Sequence, residues 1–351
     1  MRAAFGRREN IWEITMKKLL LIATGGTIAS ENAGEGLKPL IGAESLLMRA
    51  PKIQKMYSVN AVQPVNLDST NMRPENWLRI ADCIRINYDA YDGFVVSHGT
   101  DTMAYTAAAL SYLVKDSPKP IAITGAQKSI ASEDTDARTN LYDAFAYASD
   151  AGSHGVSIVF DGRVIAGTRA RKVRTKSRNA FESVDFPNLA IVRDGRILRY
   201  IPEPVPDGPA FSDALESKVA VLKLTPGLGA DALRALRECL QALVVESFGV
   251  GGVPNSDGGA LLEELKNWKN EGKVVAVTTQ VPYEGSDMAL YEVGRRALAE
   301  GGVFEAYTMT PETAVVKLMW ILARTRDVNE VRRLFYAPVA HDLLILEPPP
   351  E

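Results

Sequence analysis

Two short turns hold the residues of this 351-residue chain best equipped for chemistry. The first is Ala23-Thr24-Gly25-Gly26-Thr27-Ile28-Ala29, directly after the apolar run Lys18-Leu19-Leu20-Leu21-Ile22. The second is Ser97-His98-Gly99-Thr100-Asp101-Thr102, directly after Phe94-Val95-Val96. In an open α/β sheet, turns at the carboxyl ends of strands face the ligand crevice. Thr27 on one turn and Thr100, Asp101 and Thr102 on the other can therefore share a site for nucleophilic chemistry on a small polar substrate. Gly25 and Gly26 let the backbone turn sharply and let a ligand approach main-chain amides. A helix starting just after them would aim N–H groups at an anion. The segment fits neither G-x-G-x-x-G nor G-x-x-x-x-G-K-[ST], which speaks against a nucleotide loop. Taken alone, it reads as a tight strand-to-helix turn capped by threonine. In the second turn Thr100 and Asp101 open a helix, and one of them is expected to cap it.

A threonine hydroxyl is a poor nucleophile until a neighbour takes its proton. His98 is a tempting base, but side chains of the extended pair Ser97-His98 point to opposite faces, so His98 is expected to be buried and structural. The natural activator is then a lysine in a Thr–Lys–Asp relay, its pKa lowered by burial and its amine oriented by a carboxylate. The basic run Arg169-Ala170-Arg171-Lys172-Val173-Arg174-Thr175-Lys176 contains candidates, although its composition reads as a solvated loop with most charges exposed.

The elements that must position these groups follow an α/β rhythm. Strands are expected at Leu19–Ala23, Gly93–Ser97, Ile121–Thr124 and Val156–Phe160. Helices are expected at Pro74–Asn87, with proline near its start, at Asp101–Val114 and at Asn140–Ala148. Asp194-Gly195 reads as a hairpin turn. Four prolines and a glycine between Ile201 and Pro209 mark a linker, placed at 201–217, between a catalytic domain at 16–200 and a smaller α/β domain at 218–351. In the second domain strands are expected at Val219–Leu224, Leu243–Glu246 and Val274–Thr278. Helices are expected near Asp231–Leu240, Leu261–Lys269, Asp287–Glu300 and Pro311–Ala323. Residues 1–15 are aperiodic and mixed in charge; they read as a disordered tail or a mis-called start, with Met16 as the working beginning.

Hydrophobic residues make up 46% and charged residues 24%, as in ordinary soluble proteins. A net charge of -3 leaves no basic footprint for nucleic acid. Cys83 and Cys239 form no CxxC pair, which argues for a reducing compartment. The three histidines, His98, His154 and His341, are not spaced like metal ligands on one element. The Lys17–Ile22 run is too short for a signal peptide and no stretch is long enough to span a membrane, so the expected location is cytoplasmic.

From about Met16 to the region of Phe335 the chain resembles the bacterial-type L-asparaginases (the asparaginase/glutaminase family), and among them the cytoplasmic type I branch. The resemblance is carried by A-T-G-G-T-I-A at 23–29, D-S-T-N-M at 68–72 and Y-D-G-F-V-V-S-H-G-T-D-T-M-A-Y-T at 91–106. Leu224-Thr225-Pro226-Gly227-Leu228 and Phe248-Gly249-Val250-Gly251-Gly252-Val253-Pro254 add to it. It implies a large N-terminal domain with a flavodoxin-like, mainly parallel sheet, a smaller α/β C-terminal domain, and a homodimer or dimer of dimers. It implies L-asparagine as substrate, no cofactor and no metal. Thr27 matches the primary nucleophile, which forms an acyl-threonine ester. Thr100 matches the second catalytic threonine, with Lys172 and Asp101 as relay partners and Lys176 as the alternative lysine. Ser69, with Thr70 beside it, matches the receiver of the substrate's α-carboxylate, and Thr100 and Asp101 also line the substrate pocket, Asp101 taking the α-ammonium.

The chain departs from the family at two places. Leu37 stands where members usually carry a lid tyrosine hydrogen-bonded to the nucleophile. Activation of Thr27 then uses another group, or a tyrosine such as Tyr57 reaches in, or activity is low; Gly34 and Gly36 still suit a flexible lid. Gly252 stands where many members carry an asparagine that reaches the neighbouring subunit's substrate. Alternatives to an asparaginase are a broader glutaminase-asparaginase, a non-catalytic amino-acid sensor of the same fold, and the amidase component of an archaeal glutamyl-tRNA amidotransferase. That last branch adds a sizeable N-terminal domain, which the fifteen residues before the first strand do not supply.

Overall fold

Strands buried on both faces of a parallel sheet are near-continuous apolar runs, and the chain uses such runs to build its larger sheet. The computed structural model describes residues 16–32, 37–255 and 258–344; the expected tail at 1–15 and the expected lid glycines Gly34 and Gly36 lie outside them. Five parallel strands lie side by side in the spatial order Ser58–Val62, Lys18–Ala23, Gly93–Ser97, Pro120–Thr124, Gly155–Phe160. This is the 2-1-3-4-5 order of flavodoxin-like sheets, in which ligands bind between the first and third strands, where the winding direction reverses. Arg163–Ala166, Ala190–Arg193 and Arg196–Leu198 extend the sheet antiparallel. Asp194 and Gly195, both with positive φ (52° and 71°), form the hairpin turn between the last two.

Helices cover both faces. On one face the Ala-rich helix Met103–Leu113 is almost wholly buried, and small side chains let it pack closely against Pro311–Leu322 from the C-terminal half. One core cluster thus draws residues from both halves. Pro74–Asn87 joins this face, while Ala137–Ser149, Ala43–Met48 and Pro51–Met56 cover the other. The smaller sheet is parallel, in the order Val219–Lys223, Ala242–Ser247, Val274–Thr279, Phe304–Glu305. Between the two sheets Ile201–Pro209 has no helix or strand, and Ala210–Phe211 pairs back onto Val114–Lys115.

Several expectations need correction. No helix follows the first turn: Thr27–Ala29 is a single 3-10 turn, and the chain continues into the strand Ser30–Asn32, paired with Leu37–Pro39. The second helix starts at Met103 rather than Asp101, with Thr102 in the N-cap position, so neither Thr100 nor Asp101 serves as its cap. The stretch 287–300 is two pieces, Met288–Leu290 and Glu292–Ala299, separated by the extended Tyr291.

Candidate active site

The two threonine turns are pressed together by hydrogen bonds that only a bent, side-chain-free backbone allows. Thr24 donates to Ser97 O through both its N–H (3.0 Å) and its hydroxyl (2.9 Å). Leu67 N donates to Thr24 O (3.1 Å), and Gly26 N donates to Leu67 O (3.0 Å). Gly25 and Gly26 have φ of 95° and 75°, the left-handed range that favours glycine. A Cβ on Gly26 would lie 2.3 Å from Gly99 N and Cα, and one on Gly99 would lie 2.5 Å from Ser69 Oγ. Three segments, around Thr24–Thr27, Leu67–Thr70 and His98–Thr102, therefore meet at the carboxyl ends of adjacent parallel strands. Thr27 and Thr100 each follow one of the two touching glycines; Thr27 is partly exposed and Thr100 is buried.

Lys172 bridges to this junction from a three-residue strand, Ala170–Lys172, paired with Phe181–Ser183. Its amine donates to Thr100 Oγ1 at 2.7 Å and to Asp101 Oδ1 at 2.6 Å. The lysine side chain is 16% exposed and the aspartate 57%, so one end of the pair is sheltered and the other open to solvent. Thr100 Oγ1 in turn donates to Gln127 Oε1 (3.4 Å), whose amide is held by Ser177 O (3.1 Å). Lys176 is exposed and makes no bond to this turn. The basic run is less solvated than its composition indicates: Arg169 is fully buried and Arg171 is ion-paired.

His98 is fully buried beneath the second turn. Its Nδ1 faces Gly99 O at 2.7 Å, and because a carbonyl only accepts, Nδ1 carries the proton. Nε2 then accepts from the Thr106 hydroxyl (2.9 Å), which accepts from the Trp77 indole N–H (2.9 Å). Burial pushes His98 down to about 4, against a smaller opposing effect of the Gly99 bond. The ring is neutral and fully engaged, which leaves it no part as a general base.

Ser69 is buried at the junction, and its carbonyl accepts from the Thr102 hydroxyl (2.8 Å). Thr70 is exposed, with its N–H and hydroxyl both bonded to Asp68 Oδ1 at 2.9 Å. Sequence reasoning missed Asp68 in this role, and missed Gln127 and Asp136. Asp136 accepts from the backbone N–H groups of Gln127 (2.9 Å) and Lys128 (3.0 Å) and so shapes the loop that carries Gln127. Thr124-Gly125-Ala126-Gln127 is a third turn at a strand's carboxyl end, and the rule that picked out the first two applies to it equally.

Leu37 opens the strand Leu37–Pro39 and pairs with Asn32. Tyr57 does not substitute for the missing tyrosine. It stacks on Phe145, with centroids 6.2 Å apart, and precedes Ser58, the partner of Lys18 at the amino end of the sheet. Six strand residues of roughly 3.3 Å each separate that end from the threonine turns. Gly252 sits in a tight turn, its N–H bonded to Phe248 O at 2.7 Å. A cavity of about 290 Å³ lined by His154, Arg199, Glu203 and His341 also lies at the amino end, beside the start of Gly155–Phe160, and takes no part in the threonine junction. No group of three or more metal-ligating side chains occurs among the described residues.

The chain matches family models for both halves: Asparaginase, N-terminal, over residues 18–204, and Glutaminase/Asparaginase C-terminal domain over residues 218–335. It is 38% identical over 328 residues to L-asparaginase of Thermococcus kodakarensis, covering 93% of this chain and 99% of that one. It is 34% identical to L-asparaginase 1 of Escherichia coli, covering 90% of this chain and 95% of the other. One component of the glutamyl-tRNA(Gln) amidotransferase of Pyrococcus furiosus is 34% identical, covering 93% of this chain and 76% of its own. The solved structure of the thermostable L-asparaginase from Thermococcus kodakarensis superposes with a TM-score of 0.88 at 37% identity, covering 93% of this chain and 99% of that one. A probable cytoplasmic L-asparaginase from Campylobacter jejuni superposes with a TM-score of 0.79 at 27% identity, covering 91% and 99%. With both halves matched and near-complete relatives well above 30% identity, the chain belongs to the asparaginase family.

Proposed function

We propose that this protein is an L-asparaginase that hydrolyses L-asparagine to L-aspartate and ammonia through an acyl-threonine on Thr27. The observation that carries the reading is the Lys172 amine, 2.7 Å from Thr100 Oγ1 and 2.6 Å from Asp101 Oδ1, beside the turn that bears Thr27. Thr27 Oγ attacks the side-chain amide carbon and forms the C–O bond. Backbone N–H groups of the Gly99–Thr100 turn stabilise the developing oxyanion; the proton shed by Thr27 Oγ ends on the amide nitrogen, and collapse breaks the C–N bond and releases ammonia. Water then attacks the ester, its proton passing through Thr100 to Lys172 and on to the Thr27 oxygen as the acyl C–O bond breaks, while Asp101 orients the amine. Ser69, with Thr70 beside it in the same pocket, receives the α-carboxylate and Asp101 the α-ammonium, so the charged ends of the substrate fix its amide near the nucleophile. The groups named are all side chains or amides of the chain itself, and the reading invokes neither cofactor nor metal.

The proposed assembly is a homodimer or dimer of dimers; exposed Val281, Tyr283, Leu290 and Tyr291 after the third C-terminal strand supply apolar surface for it. The proposed location is cytoplasmic; no described helix is long and apolar enough to cross a membrane. The deciding assay is ammonia release from L-asparagine, abolished by Thr27→Ala. Tight L-asparagine binding without ammonia release would refute the enzyme in favour of a sensor. A steady-state comparison of L-asparagine with L-glutamine separates an asparaginase from a broader glutaminase-asparaginase.

A further inference from the structure

The strand Ala170–Lys172 faces two ways. Successive side chains of a strand point to opposite faces, and here that alternation divides its charges between the halves of the molecule. Lys172 reaches the Thr100–Asp101 turn. Arg171 turns the other way: its Nη2 lies 3.3 Å from Glu246 Oε1 and its Nε 3.8 Å from Glu312 Oε1. Glu246 ends the strand Ala242–Ser247 but for one residue, and Glu312 lies in the first turn of the helix Pro311–Leu322. Two residues before Arg171, the buried Arg169 donates to the carbonyls of His341 and Thr308 (2.8 Å for the latter). Residues 169 and 171 thus grip the C-terminal half, while Lys172 serves the N-terminal one.

The Arg171 cluster is enclosed. Side-chain exposure is 23% for Arg171, 11% for Glu246 and 13% for Glu312. Glu312 Oε2 is buried with no hydrogen-bond partner, and burial raises the pKa of this carboxyl despite the nearby guanidinium. Leaving a buried carboxylate oxygen without a donor is costly, so this is no incidental surface pair. Tyr105, on the helix that follows the second threonine turn, borders the same cluster and is pushed up to about 12 by burial and the two carboxylates.

We propose that Arg171 is a positioning residue: its hold on Glu246 and Glu312 fixes the Ala170–Lys172 strand so that the lysine amine stays within bonding distance of Thr100 and Asp101. The proposal rests on the reading of Lys172 as the relay base. The ladder alone pairs only three residues on each side, and the lysine stem has four rotatable bonds, so the amine is not fixed by its own strand. A displacement of about 1 Å caused from outside the chemistry can lower turnover by about 100-fold.

The experiment compares Arg171→Gln, Glu246→Gln, their double variant, Lys172→Ala and Arg171→Gln/Lys172→Ala, measuring kcat, KM for L-asparagine and Tm. Arg171→Gln is expected to lower kcat by about 10- to 100-fold, with KM moved less than about threefold. The double variant with Glu246→Gln should be no worse than Arg171→Gln alone, because the two residues act as a unit. On the Lys172→Ala background, Arg171→Gln should cause no further loss. Arg171→Lys, which keeps the charge but not the forked geometry, should give an intermediate kcat at unchanged Tm and covers the case in which Arg171→Gln does not fold. An equal fold-loss from Arg171→Gln with and without Lys172 overturns the proposal, as does unchanged kcat in Arg171→Gln when Lys172→Ala is impaired. Full turnover in Lys172→Ala overturns the relay reading itself, and the proposal with it.

Discussion

Acidification should destabilise this protein through His98 by an amount that can be isolated. Burial moves the imidazole from its ordinary 6.5 to about 4 in the folded chain. Between those values the unfolded chain takes up a proton that the folded chain refuses, so stability is full above 6.5 and falls as the pH drops toward 4. At about 1.4 kcal/mol per pH unit the interval is worth roughly 3 kcal/mol. About 2.5 kcal/mol of it should be lost between about pH 7.5 and pH 4.5. Asp143 acts in the opposite sense: burial raises its carboxyl to about 6, so the folded form binds its proton first. Wild type and His98→Gln share Asp143 and every other carboxyl, so the difference between their urea-unfolding free energies, followed against pH, contains His98 alone. That difference should swing toward the variant by about 2.5 kcal/mol on acidification. A difference constant to within about 0.5 kcal/mol across the range would refute the buried, neutral imidazole.

Gly26→Ala should destabilise by at least about 3 kcal/mol, because its Cβ would lie 2.3 Å from the Gly99 backbone at a φ of 75°. Gly155→Ala, at a φ of 63° with nothing within 4 Å of its Cβ, should cost only about 1 kcal/mol; denaturation of both variants checks the contrast. The fully buried pair Lys317–Asp342, 2.6 Å apart, predicts a loss of about 3–5 kcal/mol for Lys317→Met. The double variant Lys317→Met/Asp342→Leu should recover part of it, and a double variant worse than the sum of the single ones would reject the pairing. Leu37→Tyr restores the residue that the family usually carries at this place and should raise kcat about tenfold; unchanged turnover would show that its absence does not limit the rate.

The fold was most legible where local chemistry is strong. Pro74–Asn87 and Gly93–Ser97 have the boundaries read from sequence, because proline opens one and Asp92-Gly93 interrupts the chain before the other. Ser58–Val62 was missed because it is an edge strand, half exposed and interrupted by Asn60, so it shows no continuous apolar run. Val328–Tyr336 buries only Val331 and Phe335 on its inner face, although Asp327, whose side chain accepts from Glu330 N, is a capping signal that could have revealed it. At the candidate site, Thr27, Thr100 and Asp101 were readable as turn residues. The choice of Lys172 came from resemblance, since no local pattern links residues 71 and 72 positions apart. Arg169 defeated the compositional rule: its guanidinium is fully buried, with Nε and Nη1 donating to the carbonyls of His341 and Thr308 in place of water and Nη2 left without a partner.

The chain of bonds from Trp77 through Thr106 to His98 gives the molecule an internal optical probe. The indole is buried and belongs to one of four tryptophans, and two hydrogen bonds separate it from an imidazole that supports the Gly99 carbonyl. Any event that shifts the second threonine turn, or that forces a proton onto His98, alters the polarity along this short path. Its emission should therefore record, without any label, when that turn is strained, and retaining Trp77 while replacing the other tryptophans would turn the enzyme's own core into the detector.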